Sequence, residues 1–203
     1  MKLILASGSP RRAEILKNAG LQFETFPANV DETRLPEESA EDYVRRVASE
    51  KTRLVAGHAA KQGSPAVIIA ADTVVALGNH ILGKPSSIEN ARWMLRMLSG
   101  RTHQVFTGLA LVTTPDRREA SHVEMTKVTF VEVSEAETES YLASGEPFDK
   151  AGAYGIQGIG GRYVSRIEGC YFNVMGLPLS RLWSMLRGFG WRDSADKAIG
   201  ERE

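Results

Sequence analysis

Apolar positions recur along this chain with two periods, about two and about 3.6 residues, and the changes of period outline alternating strands and helices. Leu3-Ile4-Leu5-Ala6 reads as a strand entering the loop Ser7-Gly8-Ser9. Pro10-Arg11-Arg12 then opens a helix with Ala13, Ile15, Leu16 and Ala19 turned inward, and Gly20 stops it. Leu21–Phe26 alternates as a second strand, and Pro27 leads into an irregular acidic stretch over residues 29–33. Ser39 with Asp42 predicts a second helix, whose stripe Tyr43, Val44, Val47, Ala48, Leu54 and Val55 runs up to Gly57.

The longest apolar run, residues 65–77, is rich in β-branched side chains and reads as a central strand buried on both faces. Gly78-Asn79 predicts a hairpin returning through residues 80–82 to Gly83-Lys84-Pro85. Ser86 and Glu89 form a capping-box pattern for a helix with Ile88, Ala91, Met94, Leu95 and Leu98 on one face, ending at Gly100. Strands are expected over 105–113 and 122–133, then a helix from Ser134 to Gly145. A glycine-crowded stretch over 151–161, a hairpin at Glu168-Gly169 and a last helix using Leu179, Leu182, Trp183 and Leu186 follow. One domain over 1–192 with a polar, disordered tail over 193–203 is the expectation.

Composition narrows this mainly by exclusion. With 203 residues and 42% hydrophobic content, the chain can bury a core. Twenty-five basic residues balance twenty-five acidic ones, so no global field draws it to nucleic acid or a membrane, and an anion site has to be local. Cys170 is the only cysteine, which excludes an internal disulfide and reads as a packing residue in a reducing compartment. No run approaches the roughly 18 apolar residues that span a bilayer, and the N-terminus shows no leader pattern, so a cytoplasmic protein is expected.

Against that neutral background a few charges stand out. A helix start is electropositive, yet this first one carries Arg11 and Arg12 behind Ser9 as N-cap, which suits a bound anion such as phosphate. The competing reading turns both arginines into solvent. Lys51 interrupts the apolar stripe of the second helix, and needs either an anionic partner or a route by which it snorkels to water. Asp72 interrupts the central strand, where a carboxylate must pair, bind a metal, protonate or meet a wet cleft, unless it caps a neighbouring turn. Lys84 stands just past the hairpin partner of that strand. His103, with no second ligand or nucleophile at useful spacing, reads as structural. The glycine-crowded stretch is neither a P-loop nor a Rossmann turn; it suits either a flexible loop or a cradle for a flat ligand, with Gln157 able to read a base edge.

Eight motifs in order resemble those of the Maf family of nucleoside triphosphate pyrophosphatases: Ser7-Gly8-Ser9-Pro10-Arg11-Arg12, Val30-Asp31-Glu32, Glu50-Lys51, Ala71-Asp72-Thr73, Gly83-Lys84-Pro85, Ser99-Gly100-Arg101-Thr102-His103, Asp149-Lys150-Ala151-Gly152-Ala153-Tyr154 and Gly176-Leu177-Pro178. The resemblance implies an α/β fold, a mixed twisted sheet in two lobes with a central cleft, similar to inosine triphosphate pyrophosphatases. It also implies a branch. Arg11, Thr73 and Gln157 match the dTTP/UTP pyrophosphatases as specificity residues, where the 7-methyl-GTP branch carries Trp, Gln and Glu.

The implied chemistry is attack of water on the α-phosphorus, with release of a nucleoside monophosphate and pyrophosphate. Ser9, Arg12, Lys51 and Lys84 are expected to bind the phosphates. Asp72 is expected to be the catalytic residue, as general base or as a metal ligand together with Glu32. These hard oxygen donors suit Mg²⁺ or Mn²⁺. The expected partner is the nucleotide substrate, with no nucleic acid and no membrane, and a homodimer is left open. The alternatives are a 7-methyl-GTP pyrophosphatase and a non-catalytic nucleotide-binding regulator of cell division.

Overall fold

The computed structural model describes residues 1–61, 63 and 65–192. The tail expected from Asp193 lies outside the described residues. Seven strands form one mixed sheet: β1 (Lys2–Leu5), β2 (Glu24–Thr25), β3 (Ala66–Leu77), β4 (His80–Leu82), β5 (Thr102–Thr114), β6 (Glu119–Phe130) and β7 (Val164–Glu168). The order is β2-β1-β3-β5-β6-β7, with β4 on β3. β1 runs parallel to β2 and β3, whereas β3, β5, β6 and β7 are joined antiparallel. Six helices accompany the sheet among the described residues: α1 (Pro10–Asn18), α2 (Ala40–Lys61), α3 (Ile88–Leu98), α4 (Glu135–Ala143), α5 (Tyr171–Val174) and α6 (Leu179–Gly188). None is long and apolar enough to cross a membrane.

The pleat of β3 sorts its side chains between two faces. Ile68 and Ala70 pack with Val55, Ala56 and Ala59 of α2. Val67, Ile69 and Ala71 face the other way into a core with Leu16 of α1 and Leu182 and Leu186 of α6. Further along that second face, Val75 enters a separate core with Leu82, Leu95, Val105, Phe130 and Tyr141. Each fully buried aliphatic side chain here contributes about 1.5–3 kcal/mol. Asp72 and Thr73 fall where the apolar clusters stop, one on each face of the sheet.

Several elements differ from the pattern read in the sequence. Of Leu21–Phe26 only Glu24–Thr25 pairs as a strand, with Ile4 and Leu5 of β1. α2 runs through Gly57 to Lys61, its last turns held by Val55, Ala56 and Ala59 in the core, while Leu54 is exposed. Ser87, not Ser86, caps α3 by accepting a hydrogen bond from Asn90 N, and this turns Ile88 outward. No hairpin forms at Glu168-Gly169; β7 returns onto β6, and the chain continues into α5. The helix expected from Ser134 forms, opened by a capping box between Ser134 and Glu137.

Candidate active site

Strand pairing opens the site. One edge of β3 is paired without interruption, from Ala66 to Ala76, by β5. The other edge is shared: β1 pairs with Ala66–Ile69 and β4 with Val75–Leu77. Because β1 runs parallel and β4 antiparallel to β3, both shorter strands end at the interval between them. Their continuations, Ser7–Pro10 and Gly83–Lys84, turn into the same gap and line a cavity of about 640 Å³. The cavity therefore opens beside Asp72 and Thr73 at the carboxyl ends of two strands, a frequent place for ligands in α/β sheets.

Asp72 lies on the α2 side of the sheet, 7% exposed, and Lys51 of α2 is 6% exposed. Lys51 Nζ donates to Asp72 Oδ1 at 2.8 Å and sits 2.6 Å from Glu32 Oε1. This decides between the two readings of Lys51 in favour of an anionic partner. The contact depends on a glycine: Gly108 is the register partner of Asp72 on β5, and a Cβ there would lie 2.1 Å from Val44 O on α2. Glu32 reaches over from the acidic loop, which is held where Tyr43 Oη donates to Glu32 O at 2.9 Å and Arg46 binds Glu38 and Thr33 O. Burial first, then the Asp72 and Glu32 carboxylates, push the Tyr43 hydroxyl up to about 12.

On the opposite face Arg12 is buried and points inward, not into solvent. Its Nε donates to Gly176 O at 2.8 Å, Nη1 to Ser7 Oγ at 3.1 Å and Nη2 to Thr73 Oγ1 at 3.1 Å. Thr73 in turn bonds Thr107 Oγ1 at 2.9 Å, and Thr107 donates to Asn173 O. Burial pulls the guanidinium below its ordinary range, opposed by the Asp72 carboxylate. Thr73, expected as a specificity residue, thus also holds Arg12 in place. Ser9 precedes α1 but makes no capping bond through its side chain, and the first turn of α1 carries no acidic residue.

Arg11 crosses the cavity mouth to Asp149, with Nη1 2.6 Å from Oδ2 and Nη2 3.0 Å from the carbonyl. Lys84 and Gln157 are exposed and line the same cavity. All nine residues expected in the site, Ser9, Arg11, Arg12, Glu32, Lys51, Asp72, Thr73, Lys84 and Gln157, are therefore brought together. Five cationic side chains and three carboxylates line the cavity of a chain with no net charge. Among the described residues Arg12 and Lys84 have no carboxylate partner. Sequence reasoning missed Gly108 and Asn173 altogether, and it gave Asp149 and Gly176, which stand in the quoted motifs, and Tyr43, on the stripe of the second helix, no part in the site; their contacts join separate segments that no local spacing announces.

The glycines over 152–161 are required by the protein's own packing. A Cβ on Gly152 would lie 2.8 Å from Val75 Cγ2, on Gly158 2.4 Å from Glu146 Oε2, and on Gly161 2.3 Å from Ile156 O. Of the glycines in this stretch only Gly155 lines the cavity. His103 stands apart, 1% exposed, with Nε2 2.8 Å from Tyr154 Oη and edge-on to Phe130. Burial pulls its pKa down to about 4, so it is neutral at pH 7, in keeping with a structural role.

With this geometry in place, the relationship to known proteins is clear. The family model described as Maf-like protein matches residues 2–189, and the chain belongs to that family. It is 49% identical over 191 residues to a dTTP/UTP pyrophosphatase of Carboxydothermus hydrogenoformans, covering 94% of this chain and 100% of that one. It is 45% identical over 199 residues to a dTTP/UTP pyrophosphatase of Escherichia coli O157:H7, covering 98% of each. Among solved structures, the Staphylococcus aureus Ham1 protein aligns with a TM-score of 0.43 at 14% identity, over 93% of this chain and 99% of that one.

Proposed function

We propose that this chain hydrolyses the α–β phosphoanhydride of dTTP and UTP, giving the nucleoside monophosphate and pyrophosphate. One observation carries the reading: Arg12 and Lys84, cations with no carboxylate partner among the described residues, line the same cavity as the Asp72–Lys51–Glu32 cluster. Relatives of 45–49% identity named for that activity support it. The gap between β1 and β4 is, in this reading, the cleft between two lobes, and the cytoplasm is where such a pool of nucleotides would be met.

A triphosphate needs its charge neutralised before water can approach. Arg12, Lys84 and the first turn of α1 behind Ser9 are suited to bind it, while Arg11, held on Asp149, is left for the nucleoside. Lys51 holds the Asp72 and Glu32 carboxylates together through opposite charge. Asp72 Oδ1 is taken by Lys51, whereas Oδ2 accepts no hydrogen bond from the described residues. Oδ2 is therefore the atom to take a proton from the attacking water, while the α-phosphorus bond to the bridging oxygen breaks and pyrophosphate leaves with the electron pair.

The donor set also fits a hard divalent cation. Glu32 and Asp72 converge on one ammonium, and two carboxylates with substrate phosphates and water suit Mg²⁺ or Mn²⁺. No cluster of three His, Cys, Asp or Glu exists among the described residues, so phosphate oxygens would complete the shell. When bound, such an ion lowers the pKa of coordinated water and offsets phosphate charge. Gln157 offers one acceptor and two donors, which match the O4 and N3–H edge common to thymine and uracil.

A panel of natural and modified triphosphates with Mg²⁺ or Mn²⁺, scored for pyrophosphate and monophosphate, tests the proposal. Fastest release from dTTP and UTP is expected. Release from none of them, or a preference for 7-methyl-GTP, would sink it.

A further inference from the structure

Glu146 opens a 3-10 turn, Glu146–Asp149, behind the site, and its carboxylate is enclosed by the glycine-rich segment. Oε1 accepts from Tyr141 Oη at 2.8 Å and from Gly160 N at 3.1 Å, and Oε2 from Ile159 N at 2.8 Å. Tyr141 Oη also accepts from Gly155 N at 3.1 Å. The segment carrying Gln157 is thus tied down on both sides of that residue, at 155 and at 159–160. The fit leaves no room for a side chain: a Cβ on Gly158 would strike Oε2, and one on Gly160 would lie 2.5 Å from Tyr141 Oη. Burial pushes the Glu146 carboxyl up, but the Gly160 and Ile159 amides and the Tyr141 hydroxyl outweigh it and hold it below its usual range.

The same turn reaches the other wall. Lys150 Nζ donates to Glu146 O and to Asp149 Oδ1, both at 2.6 Å. The stem of Lys150 fills the space where a Cβ on Gly155 would stand, 2.6 Å from Cε. Asp149 Oδ2 and its carbonyl hold Arg11. One five-residue stretch, 146–150, therefore connects Gln157 through Glu146 with Arg11 through Asp149.

We propose that Glu146 and Asp149 are positioning residues that fix the distance between Arg11 and Gln157 across the cavity, and so set which nucleoside it accepts. This rests on the dTTP/UTP reading above. Neither residue takes part in bond breaking. Their effect is on the fit of the nucleotide, which shows in KM and in discrimination more than in kcat.

The test compares Asp149→Ala, Asp149→Asn and Glu146→Gln with the wild-type full chain. Asp149 is exposed, so its variants fold; for Glu146→Gln, amide exchange at Ile159 and Gly160 is followed, with Tyr141→Phe as the milder substitute if that variant does not fold. Glu146→Gln is expected to speed those amides and raise KM for UTP about tenfold with kcat within about threefold. Asp149→Ala is expected to lower the UTP to 7-methyl-GTP ratio of kcat/KM about fivefold, and Asp149→Asn, which keeps an acceptor for Arg11, to restore most of it. Unchanged KM and ratio, or a fall in kcat that only tracks the folded fraction, would overturn the inference. If the wild-type protein hydrolyses neither dTTP nor UTP, the functional reading fails by itself. Amide exchange then still decides on the tether, and unaltered exchange in Glu146→Gln refutes it.

Discussion

Asp72 and His103 stand on neighbouring strands of one sheet, 7% and 1% exposed, and their surroundings give them opposite parts. Asp72 faces the interval where β1 and β4 leave the edge of β3 unpaired, with an ammonium within hydrogen-bond distance. His103 is packed against Phe130 and Tyr154, and among the described residues it has no charged partner and its ring nitrogen Nδ1 has no hydrogen bond. Burial alone therefore does not make a titratable group reactive. Asp72 combines a compensating charge with open space for a ligand, whereas His103 has neither and stays neutral.

The strongest challenge to the contrast is Asp72→Asn, which keeps the shape and removes the proposed base. A fall in kcat of about 1,000-fold on dTTP or UTP is expected, beyond what a lowered thermal midpoint accounts for, since Lys51 also loses a buried counter-charge. Full turnover by a folded variant would remove Asp72 from the chemistry. Gly108→Ala attacks the support of Asp72 instead. Its methyl group collides with the backbone of α2 at Val44, so a loss of about 3 kcal/mol in denaturant unfolding is expected, together with weaker activity as Lys51 is displaced.

His103 should show itself in stability and not in turnover. Its folded pKa of about 4 lies below the ordinary 6.5, so between those values the unfolded chain takes up a proton that the native one refuses. Stability present above pH 6.5 is lost as pH falls toward 4, by about 3 kcal/mol in total. In His103→Phe this stretch of the pH profile should flatten while kcat on UTP stays close to wild type. A large drop in kcat would mean that the two residues are less different than their surroundings imply. The smallest effect is expected from Gln157→Glu at the cavity rim, a shift of about tenfold in the UTP to 7-methyl-GTP rate ratio. No shift would deny Gln157 its part in reading the base.

Much of this was legible in the chain. Periodicity located the central strand and the principal helices, and Asp72, Lys51 and Arg12 were conspicuous because each breaks an apolar or electrostatic pattern. The unread part concerns groups that look ordinary where they stand. Gly108 is one glycine in an apolar strand until α2 is laid across it. Glu146 follows a helix end like many surface glutamates, and only folding wraps the backbone amides of Ile159 and Gly160 around it.

Local spacing and the cost of burying charge were enough to give the α/β class, the mismatch of two arginines with a helix start, and the need of Asp72 and Lys51 for partners. Folding chose the partners. It paired Lys51 with Asp72 and Glu32, gave Arg11 to Asp149, and directed Arg12 to Thr73 and Gly176. It also opened the cavity by ending β1 and β4 at the same interval of β3, and the pairing of β1 with β3 joins residues 64 apart, which is set by the packing of whole elements and which no local window records.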